Sequence, residues 1–394
     1  MSAPHTSWSR RIAATGALAV TAALALSGCS GGLAGGGDAS SSDGPIKLGM
    51  LAPFSGSEAA FGDYMKNGAQ MAIDEINADG GVDGRDLELV VEDDACDATA
   101  SVAAAQKLVT AGISVSVGGY CSGATLPTLP IFAEAGVPMI IPAANSNALV
   151  GQGAFLINGT GSQQAAAIVK YANRVGAKQA AVIDDNTDYS KDLANSVIEQ
   201  AKSDGDFEVV KTDSVNPDEK DFAANVNNVL SAKPDFIVWT GYYQAGGLLI
   251  RQLREAGYEG TIMVGDGSVD AQLAAIAGAE YTDGVVGSFT QTPDMLEGAD
   301  KWLANYQSSF NAAPGPYSTQ SYDAVRVAAE ALTQAGSTDG DAVSKAIAGL
   351  DGFPLFSGPA TFTKEGTLEG SGGFVIVEPT GDGGAFVMKD SLQD

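Results

Sequence analysis

Histidine is almost missing from this 394-residue sequence: the only one, His5, lies near its start. If His5 is removed with the export signal described below, Ser-His-Asp catalysis, Cys-His catalysis and His-ligated zinc sites are all excluded. Basic residues are also scarce, because 21 Lys and Arg stand against 48 Asp and Glu, for a formal net charge of −27. So acidic a chain disfavours nucleic acid and anionic lipid headgroups as partners. The sequence indicates no cofactor.

The apolar run Ile12–Leu26 is too short for a typical membrane span. Arg10 and Arg11 precede it, and a charged stretch before a run of about fifteen apolar residues is typical of an export signal. The run ends in Leu26-Ser27-Gly28-Cys29, which looks like a bacterial lipobox. We therefore expect residues 1–28 to be a lipoprotein signal peptide, Cys29 to carry the lipid, and residues 29–45 to form a Gly/Ser-rich tether. In the alternative, ordinary signal cleavage occurs near the same place and Cys29 is a spare thiol.

Only three cysteines are present, and with Cys29 lipidated Cys96 and Cys121 remain. Cys121 lies in the segment 119–123, Gly-Tyr-Cys-Ser-Gly, which fits the cysteine form of a nucleophile elbow between a strand and a helix. A hydrolase hypothesis would use Cys121 as the nucleophile, but the chain that remains after removal of His5 with the export signal would supply no histidine base for it. A cysteine pair in an exported protein usually forms a disulfide, which favours a Cys96–Cys121 bridge.

Strand-like and helix-like patterns alternate along the rest of the chain. Two series of such βα units, together about 350 residues, predict two α/β lobes with parallel sheets and helices on both faces. The predicted strands are Ile46–Leu51, Leu87–Val91, Ile113–Val117, Pro138–Ile141, Ala180–Ile183, Val209–Thr212, Phe236–Trp239, Ile262–Val264, Val285–Phe289, Ala360–Thr363 and Gly373–Val377. Predicted helices include Asp63–Ala78, Lys191–Lys202, Phe222–Leu230, Ala245–Glu255, Met295–Ser308 and Ser318–Gln334.

Polar and aromatic residues gather just after six of these predicted strands. In open parallel sheets, ligands bind beyond the carboxyl ends of the strands. The sequence therefore predicts one ligand-binding cleft between the lobes. The six segments are Phe54–Gly56, Gly119–Gly123, Pro142–Ser146, Asp184–Tyr189, Thr240–Tyr243 and Gly265–Ser268.

Several of these segments belong to longer motifs that are similar to one family. They include "GGYCSGATLP", "MIIPAAN", "DDNTDYSKDLA", "VWTGYYQAGGLLIRQLREAG" and "MVGDGS". With them, residues 46 to about 390 resemble the type I periplasmic binding proteins of branched-chain amino-acid ABC transporters, the Leu/Ile/Val-binding group. This resemblance implies a non-enzymatic, extracytoplasmic receptor that binds a small-molecule amino acid and delivers it to the permease and ATPase subunits of an importer. The membrane would be a partner only through the lipid anchor.

The resemblance also implies a domain organisation. The expected fold is the type I periplasmic-binding-protein fold, with two doubly wound parallel-sheet lobes joined by a three-segment hinge. Residues 46–161 plus 290–367 would form the N-terminal lobe, and residues 162–289 plus 368–394 the C-terminal lobe. The chain would cross between them near Gly161, Phe289 and Leu368.

Ligand-binding roles are implied position by position. Ser122 matches the family residue that binds the ligand carboxylate, and Asp266 matches the acid that pairs with the α-ammonium, where well-known members carry Glu. Ala143, Ala144 and Asn145 match a second clamp on the polar end of the amino acid, although the family often has Thr at the last position. The family's single disulfide matches Cys96 and Cys121. The aromatic wall positions are Phe61, Tyr120, Tyr189, Tyr242 and Tyr317.

Alternatives remain for several of these residues. Ser122 and Asp266 could each be helix N-caps, and Tyr120 is bulkier than the aliphatic residue expected at its position. Receptors for amides, urea or aromatic acids belong to the same family, so the ligand class is open. A sensory ligand-binding module would need a partner chain to supply a signalling segment. The acidic run of Glu92, Asp93, Asp94 and Asp97 lacks the spacing and the glycine of a calcium loop and predicts a solvated turn.

Overall fold

The computed structural model describes residues 44–290, 299–370, 372–381 and 384–393. The predicted signal peptide, the lipidation site Cys29 and almost all of the tether lie outside these residues. The described residues belong to one compact unit. None of the helices in these four ranges has the length and apolar character needed to cross a membrane.

Strands and helices alternate through most of this unit. The strands are β1 Ile46–Ala52, β2 Leu87–Asp93, β3 Val115–Ser116, β4 Ile140–Ile141, β5 Phe155–Leu156, β6 Gln179–Asp184, β7 Glu208–Ser214, β8 Phe236–Trp239, β9 Thr261–Val264, β10 Val285–Thr290, β11 Phe353–Leu355, β12 Gly358–Ala360, β13 Phe374–Pro379 and β14 Phe386–Asp390. The helices are α1 Ala59–Ala78, α2 Ala98–Ala111, α3 Ser122–Thr125, α4 Leu129–Glu134, α5 Gly161–Val175, α6 Asp188–Asp204, α7 Ala223–Leu230, α8 Tyr243–Glu255, α9 Ala271–Ala277, α10 Asp300–Phe310, α11 Ser318–Ala335 and α12 Gly340–Ala348.

The first sheet has the strand order β2-β1-β3 and is parallel throughout. A parallel bridge between Ser116 and Met139 continues it to the parallel pair β4-β5. A further parallel bridge joins Leu156 to Thr367. The segments that follow β1, β3 and β4 therefore leave the first sheet at the same edge.

The second sheet has seven strands in the order β14-β13-β10-β9-β8-β6-β7. Its strands from β7 to β10 are parallel, as predicted, whereas β13 and β14 are antiparallel additions. Thr380 N–H donates to the Ala385 carbonyl in the connection between those two strands. Only an antiparallel pair permits so short a connection, because parallel strands need a crossover of a dozen or more residues.

Local sequence signals account for where several elements begin and end. Thr160 and Gln163 form a reciprocal capping box at the start of α5, and Gly176 ends the helix with a left-handed φ of 77°. All four residues of β8 are buried, which is typical of a central parallel strand covered by helices on both faces. The helix α1 packs against α11 at Gly68, where an added Cβ would lie 1.9 Å from the Ser318 carbonyl oxygen. Any larger residue there would force the two helices apart.

Short or exposed elements differ from the sequence predictions. The strand predicted at Ile113–Val117 is reduced to the two residues of β3, and that at Ala360–Thr363 is replaced by the hairpin β11–β12. The helix predicted from Met295 begins at Asp300, and residues 291–298 lie outside the described ranges. The lobe boundaries themselves stay a prediction.

Candidate functional site

The site lies where segments from the carboxyl ends of both sheets meet. Asp266 follows β9 of the second sheet, and Asn145 follows β4 beside the first. Asn145 Nδ2 donates to Asp266 Oδ2 over 3.0 Å, so the two sheets' strand ends are in direct contact. Five of the six predicted segments contribute to this meeting point. In the sixth segment, 54–56, Phe54 N–H donates to Asp93 Oδ1 over 2.8 Å.

Asp266 is the centre of the polar part of the site. Its side chain is 2% exposed, and Tyr189 Oη donates to Oδ1 over 2.7 Å. Oδ2 accepts from Tyr317 Oη at 2.8 Å and Asn158 Nδ2 at 3.4 Å, besides Asn145. Burial raises the pKa of Asp266, and the hydrogen bonds from the two tyrosines oppose that rise. Since α9 is capped by Asp270 instead, the N-cap alternative for Asp266 is wrong.

A set of carboxamides holds the Asp266 carboxylate in place. Asn145 Nδ2 also donates to Gln164 Oε1, and Gln164 Nε2 in turn donates to Ser288 Oγ over 2.8 Å. Asn158 Nδ2 faces two acceptors, the Ala143 carbonyl at 2.8 Å and Asp266, which fixes the orientation of its amide. The buried Asn158 Oδ1 then has no hydrogen-bond partner among the described residues. A buried acceptor beside a carboxylate is a suitable neighbour for a donor-rich ligand group.

Ser122 is the first residue of the short helix α3 and is 2% exposed. Its Oγ accepts from Ser146 N–H over 3.3 Å, so it joins the turn after β3 to the turn after β4. The N-cap position of α3 is occupied by Cys121. The N-cap alternative for Ser122 is therefore wrong.

Cys96 and Cys121 form a disulfide, with their Cα atoms 5.4 Å apart, which confirms the predicted pairing. A bonded sulfur carries no thiolate, so it cannot serve as the nucleophile of a hydrolase. The cysteine instead fixes the residue immediately before Ser122. The elbow-like sequence is a structural turn.

The neighbouring alanines use part of their backbone within the protein. Ala144 N–H donates to the Gly119 carbonyl over 3.1 Å, and the Ala143 carbonyl accepts from Asn158. The Ala144 N–H is thus engaged before any ligand arrives. The side chain of Asn145, rather than the alanine backbone, is the part of this segment that contacts Asp266.

The predicted aromatic wall residues surround the polar centre from both sides. Tyr189 and Tyr242 follow strands of the second sheet and lie with ring centroids 5.2 Å apart. Phe61 from α1 stacks on Tyr120 at 4.5 Å, and Tyr317 lies 5.6 Å from Tyr120. Tyr317 adopts a left-handed φ of 64°, uncommon for a bulky residue, and this conformation precedes the start of α11. All five aromatic residues predicted for the wall are therefore close together.

Glu58, which belongs to none of the predicted ligand-binding segments, is a second buried carboxyl at this site. It is 3% exposed, and Tyr120 Oη lies 3.4 Å from its Oε2. Burial, with Asp185 nearby, raises the pKa of Glu58 to about 8, whereas hydrogen bonds from Ser57 and Tyr120 oppose the rise. Glu58 lies just before an amphipathic helix, and that position looks like a solvated helix start, so no local pattern indicates its burial.

A cavity of about 260 Å³ adjoins the site on the side of Glu58. Across it, Tyr243 Oη donates to the Ser57 carbonyl over 2.8 Å, and Gln244 Nε2 donates to the same oxygen. These bonds join the segment after β1 of the first sheet to the start of α8, which follows β8 of the second sheet. The cavity is lined by residues that include Ser57, Glu58, Cys121, Asp185, Tyr189, Tyr242 and Gln244.

The acidic run after β2 serves local structure. Asp97 caps α2 through Thr99 and Ala100 N–H, and Glu92 pairs with Lys107 at 2.8 Å. Asp94 accepts from Cys96 N–H over 2.9 Å. The carboxylates of this run hold the turn beside the disulfide.

Comparison with known proteins identifies the family. A family model described as periplasmic binding protein matches residues 45–384, and the chain belongs to this family. The Leu/Ile/Val-binding protein BraC3 of Rhizobium johnstonii is 35% identical over 331 residues, which cover 82% of this chain and 89% of that protein. A leucine-, isoleucine-, valine-, threonine- and alanine-binding protein of Pseudomonas aeruginosa is 32% identical over 332 residues, covering 82% and 87%.

Solved structures agree with the fold. The branched-chain amino acid transporter substrate-binding protein LivJ of Streptococcus pneumoniae, in complex with isoleucine, superposes with a TM-score of 0.77 at 27% identity, covering 89% of this chain and 97% of that one. The leucine-binding protein LivK of Thermotoga maritima gives a TM-score of 0.79 at 26% identity, covering 87% and 97%. The predicted type I periplasmic-binding-protein fold is confirmed.

Proposed function

We propose that the protein is an extracytoplasmic solute-binding protein of an ABC importer, and that it binds a branched-chain or related amino acid between its two sheets. One observation carries the proposal. Asp266 is a buried carboxylate that meets Asn145 and Tyr189 inside a ring of aromatic side chains. Apolar walls with a few placed polar groups are typical of small-ligand sites. The names of the relatives support the ligand class.

The two ends of an amino acid suit different parts of this site. The Ser122 hydroxyl would donate to the ligand carboxylate from the turn that the disulfide fixes. The ligand ammonium would lie at Asp266, with the unpartnered Asn158 Oδ1 as a further acceptor. An ammonium has three N–H donors and pairs best where several acceptors converge. The aliphatic side chain of the ligand would then face the aromatic side chains that surround the site.

Transport would proceed by hinge closure. The hydrogen bonds from Tyr243 and Gln244 to the Ser57 carbonyl would hold the two sides together over the solute. The closed form would dock on the permease, whose ATPase subunits drive import. A lipid on Cys29 would anchor the protein to the cell membrane through the tether. With Cys121 in a disulfide, the protein would act without catalysing a reaction.

A thermal-shift screen tests the proposal. The purified protein is unfolded and refolded to remove any solute that copurifies, and then melted with each of the twenty amino acids, urea, short amides and benzoate. A ligand at one hundred times its dissociation constant adds about 2.7 kcal/mol to the free energy of unfolding. We expect a clear shift with at least one aliphatic amino acid. If no amino acid shifts the melting temperature, the proposed function is wrong.

A receptor for a solute without an ammonium group is the second candidate, and one observation favours it. The Asp266 carboxylate already accepts four hydrogen bonds from neutral donors within the protein. A carboxylate satisfied in this way does not require a cationic ligand. A shift with amides, urea or benzoate alone would select this candidate.

A further inference from the structure

Tyr120 lies among the other aromatic side chains of the candidate site, and not at the edge of that group. Its ring stacks on Phe61 with centroids 4.5 Å apart and planes inclined by 23°. It meets Tyr317 edge-on at 5.6 Å and lies 6.0 Å from Tyr242 on the opposite side. The phenol therefore occupies the space between Phe61 and Tyr242. The side chain of a bound amino acid would also lie there.

The backbone around Tyr120 is fixed on both sides. Gly119 N–H donates to the Leu51 carbonyl over 2.8 Å, and the Gly119 carbonyl accepts from Ala144. Cys121 is bonded to Cys96 on the other side. A shift of the loop would break these links, so the segment cannot move easily to withdraw the ring.

The side chain itself is also held. Tyr120 is 5% exposed, and its hydroxyl lies 3.4 Å from Glu58 Oε2. Rotating the ring away would remove the stack on Phe61 and separate the buried hydroxyl from Glu58. Stacked and edge-on aromatic contacts contribute beyond their buried area, and a buried hydroxyl without a partner is unfavourable.

We propose that Tyr120 limits the size of the ligand, so that the cleft prefers alanine, threonine or valine to leucine and isoleucine. The inference rests on the proposed function, since it assumes an amino-acid ligand. A longer side chain would have to displace the phenol or overfill the site, and overpacking a well-packed region is unfavourable. A shorter side chain would require a smaller displacement of the Tyr120 ring.

Isothermal titration with alanine, threonine, valine, leucine and isoleucine tests the inference on the full-length protein, refolded to remove bound solute. We expect the tightest of the three short ligands to bind at least about tenfold more tightly than leucine. Tyr120→Leu is expected to lower this ratio by at least about tenfold, because it removes the ring but keeps an apolar surface. Tyr120→Phe is the matched control. Because this variant keeps the ring, it should still bind the tightest short ligand more tightly than leucine, whatever its effect on affinity.

Two results would overturn the inference. One is a wild-type protein that binds leucine or isoleucine more tightly than every short ligand, a result that needs no variant. The other is an equal change of the ratio in Tyr120→Leu and Tyr120→Phe, which would assign the selectivity to the hydroxyl. Near-ultraviolet circular dichroism checks that Tyr120→Leu folds, and Tyr120→Val replaces it if it does not. If the wild-type protein binds no amino acid, both the inference and the proposed function are wrong. If it binds leucine or isoleucine most tightly, only the inference is wrong.

Discussion

Two buried carboxyls at the same site, Asp266 and Glu58, are stabilised in different ways. Asp266 accepts hydrogen bonds from two tyrosines and two asparagines. Among the residues that the structure describes, the partners of the Glu58 carboxyl are hydroxyl groups, with Tyr120 at 3.4 Å and Ser57 beside it. Burial raises the pKa of both groups, but hydrogen bonds to the charged form oppose the rise more extensively at Asp266.

The difference indicates separate roles for the two acids. A carboxylate surrounded by converging donors is preorganised as an anion, and the hydrogen bonds offset much of the cost of burying its charge. Glu58 lacks such a set and lies near Asp185, so near neutral pH the protonated form is favoured. We expect ligand binding to depend on Asp266, and the pH dependence of stability on Glu58.

Asp266→Asn should have the largest effect. The substitution keeps the size of the side chain but removes its charge and directs an amide N–H at one set of donors. We expect the affinity for the tightest amino acid to fall by at least about one hundredfold, or ~2.7 kcal/mol. Isothermal titration measures this loss. An affinity within about threefold of wild type would show that Asp266 only organises its neighbours.

Asp323→Asn is the matched control for that experiment. Asp323 is 2% exposed and buried like Asp266, and burial raises its pKa to about 6. Its partners, Arg326 at 2.7 Å and Phe356 N–H at 2.7 Å, lie outside the candidate site. The free energy of unfolding is expected to fall because an ion pair is lost, while the affinity for the amino acid is retained.

Glu58→Gln should have the next largest effect, on stability and not primarily on binding. The pKa of Glu58 is about 8 in the folded protein against an ordinary 4.5, so folding retains a proton that the unfolded chain releases. Stability is therefore greatest below pH 4.5 as far as this group is concerned, and it is lost as pH rises towards 8. Between pH 6 and 8 the wild-type protein should lose about 2 kcal/mol more than the variant. Chemical denaturation at both pH values measures the difference, and parallel pH curves would contradict it.

The fold and much of the site could be predicted because their signals are local. The buried strand β8 and the amphipathic helix α8 carry patterns that indicate their positions. Ser122, Asn145 and Asp266 lie in the segments that follow strands, so the rule for parallel sheets brings them together. The antiparallel direction of β13 and β14 is harder to predict from sequence, because strand direction depends on how the chain returns to the sheet.

Residues that act through distant contacts could not be predicted in the same way. Asn158 and Gln164 lie in an ordinary helix-start sequence, and their importance comes from partners more than one hundred residues away, Asp266 and Ser288. Glu58 is a charged residue that only tertiary packing buries. Such contacts depend on how the two sheets meet, which no local pattern records.

Of the three substitutions at the candidate site, Ser122→Ala should have the smallest effect, because it removes one neutral hydroxyl and no charge. A net hydrogen bond contributes about 1 kcal/mol, so we expect affinity to fall roughly fivefold. Ser101→Ala is the control: Ser101 is equally buried, and its hydroxyl donates to the Ala98 carbonyl within α2. Titration of both variants with the same amino acid separates the two cases. Equal affinities in the two variants would remove Ser122 from the site and leave the turn with the role of positioning Tyr120 alone.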